Sequence, residues 1–296
     1  MIFLTIGCFA ALLKQPEINC TGYQPLGVNS LNTTLNNIDK LREIMVALRD
    51  LETGCPWDQA QDFASIVPHT LEEAYEVVEA IEAGDMDELR DELGDLLFQI
   101  IFYARLAEER GLFDFEQVAA GIVDKLIRRH PHVFADASVG TAEAQTLAWE
   151  ASKARERAEK AEDASALAGV AMALPAMTRA VKLQKRAARV GFDWPAIAPV
   201  FAKVREELEE LRAEIAVPYN KARIEEEMGD LLFACTNLAR HAHVEPETAL
   251  RNANRKFERR FAQMEMMAKM QGRDVLELDL DAWEALWENV KMGEPE

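Results

Sequence analysis

Two groups of carboxylates share a residue type and a spacing that suit metal chemistry. Glu72, Glu73 and Glu76 are followed by Glu92 and Asp95, and Glu206, Glu207 and Glu210 are followed by Glu227 and Asp230. Each Glu-x-x-Glu and Glu-x-x-Asp sets two acids three residues apart, which on a helix is about one turn along the same face. Carboxylates gathered this way repel one another, and burying them without a partner is costly. A hard divalent cation relieves both costs. Magnesium takes oxygen ligands and usually keeps waters and substrate phosphates in its shell, so Mg2+, with Mn2+ as a substitute, is the expected cofactor. A single Glu-x-x-Glu is more often a solvated helix face. The motif is written twice, with residues 77–91 between its halves in one copy and 211–226 in the other, which argues against that reading. A di-iron bundle normally uses Glu-x-x-His, and no such pair occurs in this chain.

The elements that must position these acids repeat as well. Gly94-Asp95-Leu96-Leu97-Phe98 recurs as Gly229-Asp230-Leu231-Leu232-Phe233, and an Ala-Arg pair follows in both copies, Ala104-Arg105 and Ala239-Arg240. A length of 296 residues and a hydrophobic fraction of 49% allow two packed domains. Only 7% of residues are aromatic while Ala, Leu, Glu, Arg and Met abound, so the expected fold is all-α. The expected organisation is an N-terminal extension over 1–36, disordered or reflecting a start codon placed too early, then a first helical-bundle domain over 37–135. A charged Ala/Glu/Lys helical linker over 136–172 leads to a second bundle over 173–292. Bundles of this kind build metal sites from side chains on facing helices.

Within the first unit, Ile38, Leu41, Ile44, Met45 and Leu48 form a helical stripe that stops at Gly54-Cys55-Pro56-Trp57-Asp58. Thr70 with Glu73 three residues on is a capping-box arrangement, predicting that the first Glu-x-x-Glu helix opens there and ends at Gly84-Asp85. The next helix, from Met86 to about Arg110, is apolar on nearly every side through Leu96, Leu97, Phe98, Ile100, Ile101 and Phe102, and is expected to be central and buried. A helix from Phe115 to His130 follows. The second unit repeats the order: Lys182 to Arg189, a turn at Gly191-Phe192-Asp193-Trp194-Pro195, the two acidic helices, Pro246 to Met270, and an amphipathic piece with Trp283, Leu286 and Trp287.

A formal net charge of -19, with no long Lys/Arg run, excludes polymeric DNA or RNA as an expected partner. A small polyanion neutralised by metal remains compatible. Cys8, Cys20, Cys55 and Cys235 show no zinc-ligand spacing and read as thiols in a reducing compartment, so a cytoplasmic location is expected. The apolar run Met1 to Leu13 is shorter than a bilayer span, and no membrane association is expected.

Taken together, Gly54-Cys55-Pro56-Trp57-Asp58, both acidic motifs, Lys185-Arg186-Ala187-Ala188-Arg189-Val190-Gly191-Phe192-Asp193-Trp194 and Lys256-Phe257-Glu258-Arg259-Arg260-Phe261 resemble the MazG nucleoside triphosphate pyrophosphohydrolases of bacteria. These lie within an all-α superfamily that also includes dimeric dUTPases and phosphoribosyl-ATP pyrophosphohydrolase. The resemblance covers roughly residues 37 to 292 and implies two tandem MazG-like domains. It implies magnesium-dependent hydrolysis of NTPs and dNTPs to the monophosphate and pyrophosphate, nucleotide-pool housecleaning or regulation as the role, and a homodimer.

By that resemblance Glu207, Glu210, Glu227 and Asp230 would be the metal ligands of the second unit, with Glu73, Glu76, Glu92 and Asp95 as their first-unit counterparts. Lys203, Arg223, Glu226, Asp230, Asn254, Lys256, Arg260 and Trp287 would surround the nucleotide. Lys203 precedes Glu207 by one helical turn, and Lys256 precedes Arg260 by the same interval, so each pair shares a face. A solvated helix face is the alternative for the basic pairs, and packing is the alternative for Trp287. Glu206 and Glu207 are the catalytic candidates, with Glu206 expected to orient or deprotonate the attacking water. His69 stands where Lys203 stands and Val123 where Asn254 stands, no counterpart of Trp287 is visible, and Lys125 and Arg129 match Lys256 and Arg260. The second unit is therefore expected to carry most of the activity. His69 and the remaining histidines are expected at loops or helix ends, Trp57 and Trp194 to anchor their turns, with a border of the nucleotide pocket as the alternative, and Met264, Met266, Met267 and Met270 to serve packing. A nucleotide sensor that binds through magnesium without turnover is the competing class.

Overall fold

The computed structural model describes residues 36–135, 165–216 and 219–294, with positions 141, 145 and 149. Nearly all of the N-terminal extension, Cys8 and Cys20 included, and most of the charged linker lie outside the described residues. The described end of the linker, 165–172, runs in turns rather than helix. The chain divides into two compact units between Trp149 and Glu150. Among the described residues there is no strand.

In the first unit the helices are α1 (Asn37–Leu48), α2 (Pro56–Ala60), α3 (Phe63–Ala83), α4 (Met86–Glu109), α5 (Phe115–Arg129) and α6 (Pro131–Phe134). The acidic pair α3 and α4 packs along its length as a hairpin. Gly84 closes α3 in the left-handed region at φ 73°, where a side chain would be strained, and Asp85 opens α4 by accepting from the N–H groups of Asp87 and Glu88. Met45, Ile66, Ile101, Phe102 and Leu106 form the core, so α1 and α3 both bury a face against α4.

Two expectations for this unit need correction. The helix carrying the first Glu-x-x-Glu begins at Phe63, not Thr70. Asp62 and Ser65 form the capping box, and burial of Ile66 holds the extra turns in place despite Pro68. Thr70 sits inside the helix, its hydroxyl bonded to the Ile66 carbonyl and to the Tyr103 hydroxyl at 3.0 Å. Nor is α4 buried all round: Phe102 and Ala107 are fully enclosed, but Leu93 and Ile100 are 50% and 41% exposed. The neighbouring helices cover one side of α4 and leave the other to solvent.

The second unit comprises α7 (Ala176–Arg189), α8 (Ile197–Ala216), α9 (Lys221–His241), α10 (Pro246–Met270), a 3-10 turn Val275–Glu277 and α11 (Leu280–Gly293). Here α8 packs along α9, α7 lies on α9 and α10, and α11 packs on α10. Met264, Ala268, Leu286 and Val290 form the α10–α11 core, with Met267, Trp283 and Trp287 against it. Met266 and Met270 do not pack; they are 62% and 82% exposed.

Candidate metal and nucleotide centre

The hairpins bring six of the eight predicted ligands together, three in each unit. In the second unit, carboxylate oxygens of Glu207 on α8 and of Glu227 and Asp230 on α9 lie within 4.8 Å of one another. Glu207 and Glu227 are buried and Asp230 is exposed. The first unit repeats the arrangement with Glu73 on α3 and Glu92 and Asp95 on α4, again within 4.8 Å. Both donor sets consist of oxygen alone, converging from two helices, and so fit a hard divalent cation. Glu76 and Glu210 stay outside these sets on exposed positions. They still act on them, since Glu76 repels both Glu73 and Glu92, and burial followed by the charge of Glu207 pushes Glu210 above the usual carboxylate range.

What balances the charge differs between the units. Lys203 donates from Nζ to Glu206 and lies 2.7 Å from both Glu206 and Glu207, and those hydrogen bonds hold its ammonium well above the ordinary lysine range. Arg223 donates to Glu226 and Glu227, each at 2.6 Å, and lies 3.6 Å from Glu214. In the first unit the Lys203 position holds His69, 3.7 Å from Glu72. The Arg223 position, four residues before the first ligand on the second acidic helix, holds Glu88. The consequence is electrostatic. Glu73 is pushed up to about 7 by burial, then by Asp95 and Glu76, and Glu92 is pushed up to about 7 by burial, then by Glu76 and Glu88. Burial, then Asp91, also raises Asp95.

Glu206 is about half exposed and takes a hydrogen bond from Lys203, beside the oxygen set rather than within it. The other predicted nucleotide residues form a second group on α10 and α11. Arg260 donates to both oxygens of Glu294, the shortest contact being 2.6 Å from Nη2, and its guanidinium lies over the Trp287 ring at 5.2 Å. Trp287 also meets Phe257 at 5.9 Å, so it packs as well as stacks. Asn254 and Lys256 are exposed on α10. Among the described residues, no hydrogen bond or ion pair joins this group to the carboxylate cluster. Lys125, the first-unit match to Lys256, is exposed on α5.

His69 lies inside α3 rather than at a helix end, because α3 starts earlier than its local signals suggest, and it meets Trp57 edge-on at 5.7 Å. Trp57 and Trp194 stay 51% and 39% exposed, and the turns are anchored instead by their aspartates. Asp58 is buried with its carbonyl accepting from Arg49, and Asp193 accepts from Arg240 at 2.5 and 2.9 Å and pairs with His241 at 3.0 Å. Sequence reasoning missed Glu88 and Glu214. Glu88 was findable from its four-residue interval to Glu92, whereas Glu214 meets Arg223 only through the α8–α9 packing.

Against known proteins, a family model described as the MazG nucleotide pyrophosphohydrolase domain matches residues 61–134 and again 200–274. Each match spans one α3–α4 or α8–α9 hairpin, acids included. The chain is 52% identical over 261 residues to the nucleoside triphosphate pyrophosphohydrolase of Escherichia coli, covering 88% of this chain and 99% of that one. It is 42% identical over 256 residues to the nucleoside triphosphate pyrophosphohydrolase/pyrophosphatase MazG of Thermotoga maritima, covering 86% and 96%. A Mycobacterium tuberculosis nucleoside triphosphate pyrophosphohydrolase is 37% identical over 155 residues, 52% of this chain and 46% of that one. The chain belongs to the MazG nucleotide pyrophosphohydrolase domain family and carries the domain twice.

Proposed function

We propose that this protein hydrolyses nucleoside triphosphates, ribo and deoxy, to nucleoside monophosphate and pyrophosphate, chiefly in its second unit, with Mg2+ or Mn2+ as cofactor. The observation that carries the reading is the convergence of Glu207, Glu227 and Asp230 within 4.8 Å beside two cations, Lys203 and Arg223, that hold neighbouring carboxylates. The names of the full-length relatives point to the same reaction. Bound magnesium would supply charge neutralisation on the triphosphate and orient it for attack.

The chain's own residues do the rest. Lys203 and Arg223 exchange their carboxylate partners for phosphate oxygens, because a triphosphate offers them more negative charge than the acids they leave. Glu206, next to Lys203, accepts the proton of the water that attacks the α-phosphorus. The oxygen bridging the α- and β-phosphates departs with pyrophosphate. Lys256 and Arg260, one turn apart on α10, add phosphate contacts once Arg260 leaves Glu294, and Asn254, Glu226 and Trp287 border the nucleotide.

Exposed apolar side chains on the acidic helices, including Leu93, Ile100, Phe201, Leu208, Leu232 and Phe233, support pairing into a homodimer. Among the described residues no helix is long and apolar enough to cross a membrane, and a cytoplasmic housecleaning or regulatory role fits a small-molecule substrate. The test is product analysis on a panel of NTPs and dNTPs with and without magnesium. Pyrophosphate and monophosphate, formed only with the metal, are expected. Orthophosphate release, or binding without turnover, would replace this reading with a different bond cleavage or a sensor.

A further inference from the structure

Two buried amides outside the carboxylate sets each keep an oxygen that meets no donor. Gln99 on α4 and Gln184 on α7 are 6% and 7% exposed, and Oε1 of each has no hydrogen-bond partner. Buried carbonyl oxygens are normally satisfied, so each calls for an account. Gln99 is one turn beyond Asp95 on the same face of α4, and one turn before Tyr103, whose hydroxyl pairs with Thr70. It therefore stands between the first metal cluster and that hydroxyl pair.

Gln184 reaches the cluster helix of the second unit from a different helix. Its Nε2 donates at 3.0 Å to the carbonyl of Phe233, three residues beyond Asp230. That bond engages the donor end of the amide and leaves Oε1 as an acceptor without a donor. The internal repeat makes the exchange visible. The counterpart of Gln99, four residues after Asp230, is Ala234. The counterpart of Gln184, counted back from the matching Gly54–Trp57 and Gly191–Trp194 turns, is Ala47. One unit carries the amide on the cluster helix and the other on the helix packed against it, with alanine at the vacated position each time. Packing alone would be met by leucine or methionine at either place without stranding an oxygen.

We propose that Gln184 is a specificity-determining residue whose Oε1 accepts a hydrogen bond from a donor on the nucleoside part of the nucleotide, a sugar hydroxyl or an exocyclic amine. The proposal rests on the reading that a nucleotide lies at the second cluster. Phosphate oxygens are acceptors and are matched by Lys203 and Arg223, so the Gln184 acceptor, held against the Phe233 carbonyl about one turn beyond Asp230, serves the remainder of the molecule. Gln99 holds the equivalent acceptor in the first unit.

The experiment is calorimetric binding of non-hydrolysable α,β-methylene triphosphates of the common bases, ribo and 2′-deoxy, to the full chain with Mg2+. Wild type is compared with Gln184→Met, which keeps bulk and loses the acceptor, and with Gln184→Ala/Ala234→Gln, which moves the amide to α9 as in the first unit. Wild type is expected to rank the analogues, Gln184→Met to shrink that ranking by about tenfold, and the relocated amide to restore it. Loss of the ribo/deoxy difference assigns the donor to the sugar, and loss of a base difference assigns it to an amine. The Mg2+-induced thermal shift without nucleotide is expected to stay unchanged. A wild type that binds all analogues alike or none, a Gln184→Met that weakens all of them equally or not at all, or a folded relocated variant without restored ranking, overturns the proposal in favour of packing or a buried water. Because the readout is binding, absent turnover would defeat the proposed reaction while leaving this inference standing.

Discussion

Glu207, Glu227 and Asp230 meet beside Lys203 and Arg223, whereas Glu73, Glu92 and Asp95 meet beside His69 and Glu88. The carboxylates converge within 4.8 Å in both units, and the charge balance around them differs. In the second unit Lys203 and Arg223 pair with Glu207 and Glu227, the contacts that the proposed mechanism exchanges for phosphate. In the first unit His69 and Glu88 stand at those positions, and burial together with repulsion from neighbouring carboxylates pushes Glu73 and Glu92 up to about 7. On the proposed reading the three converging carboxylates hold the metal, and the flanking lysine and arginine turn the site toward a triphosphate.

Removing the cations should break this comparison most visibly. Lys203→Ala is expected to lower kcat/KM about 100-fold, the cost of a lost charge-assisted phosphate contact, while His69→Ala changes it less than about twofold. Equal losses would show that the units do not divide the work this way. The comparison sharpens if His69→Lys with Glu88→Arg, made in a Glu227→Ala background, raises nucleotide affinity at the first unit, measured by calorimetry.

A smaller effect follows from the protons. With folded values of about 7 against an ordinary 4.5, Glu73 and Glu92 stay protonated in the metal-free fold where the unfolded chain has released its protons. Folding stability therefore falls as pH rises between about 4.5 and 7. Glu92→Gln is expected to raise the metal-free Tm at pH 8 by on the order of a few degrees, and saturating magnesium to do the same for wild type. A Glu92→Gln variant that melts no higher than wild type at that pH would contradict the account.

The smallest effect concerns the second unit's turn. Arg240, then His241, holds Asp193 at about 2, below its usual 3.8, so its contribution is present above that usual value and fades as pH falls toward about 2. Asp193→Asn should cost ~1–2 kcal/mol at neutral pH, with the difference from wild type vanishing in acid. Thermal melts across pH check this, and identical curves at neutral pH would refute it.

The helices and the convergence of Glu73, Glu92 and Asp95, and of Glu207, Glu227 and Asp230, were legible because their signals are local. Acids three residues apart, Gly84-Asp85 at the hairpin turn and the duplicated Gly-Asp-Leu-Leu-Phe run all act within a few residues. The start of α3 escapes local signals for the converse reason. Thr70-x-x-Glu73 mimics a cap, while the deciding contacts are the Asp62 box and the burial of Ile66 against a distant helix. Partners such as Arg260 with Glu294, Asp193 with Arg240 and Gln184 with the Phe233 carbonyl lie 34 to 49 residues apart, and nothing in their immediate sequence announces them. The opposed charge balance was half visible, since His69 in place of Lys203 could be read and Glu88 in place of Arg223 was overlooked.

The central claim is that the cation-flanked cluster turns over nucleotides and its twin does not carry that activity. Magnesium-dependent pyrophosphate release from ATP by Glu227→Ala and by Glu92→Ala, assayed side by side, tests it most directly. Glu227→Ala is expected to lose at least about 100-fold in kcat, as removal of a metal ligand does, and Glu92→Ala to stay within about threefold of wild type. Turnover preserved in Glu227→Ala and abolished in Glu92→Ala would contradict it.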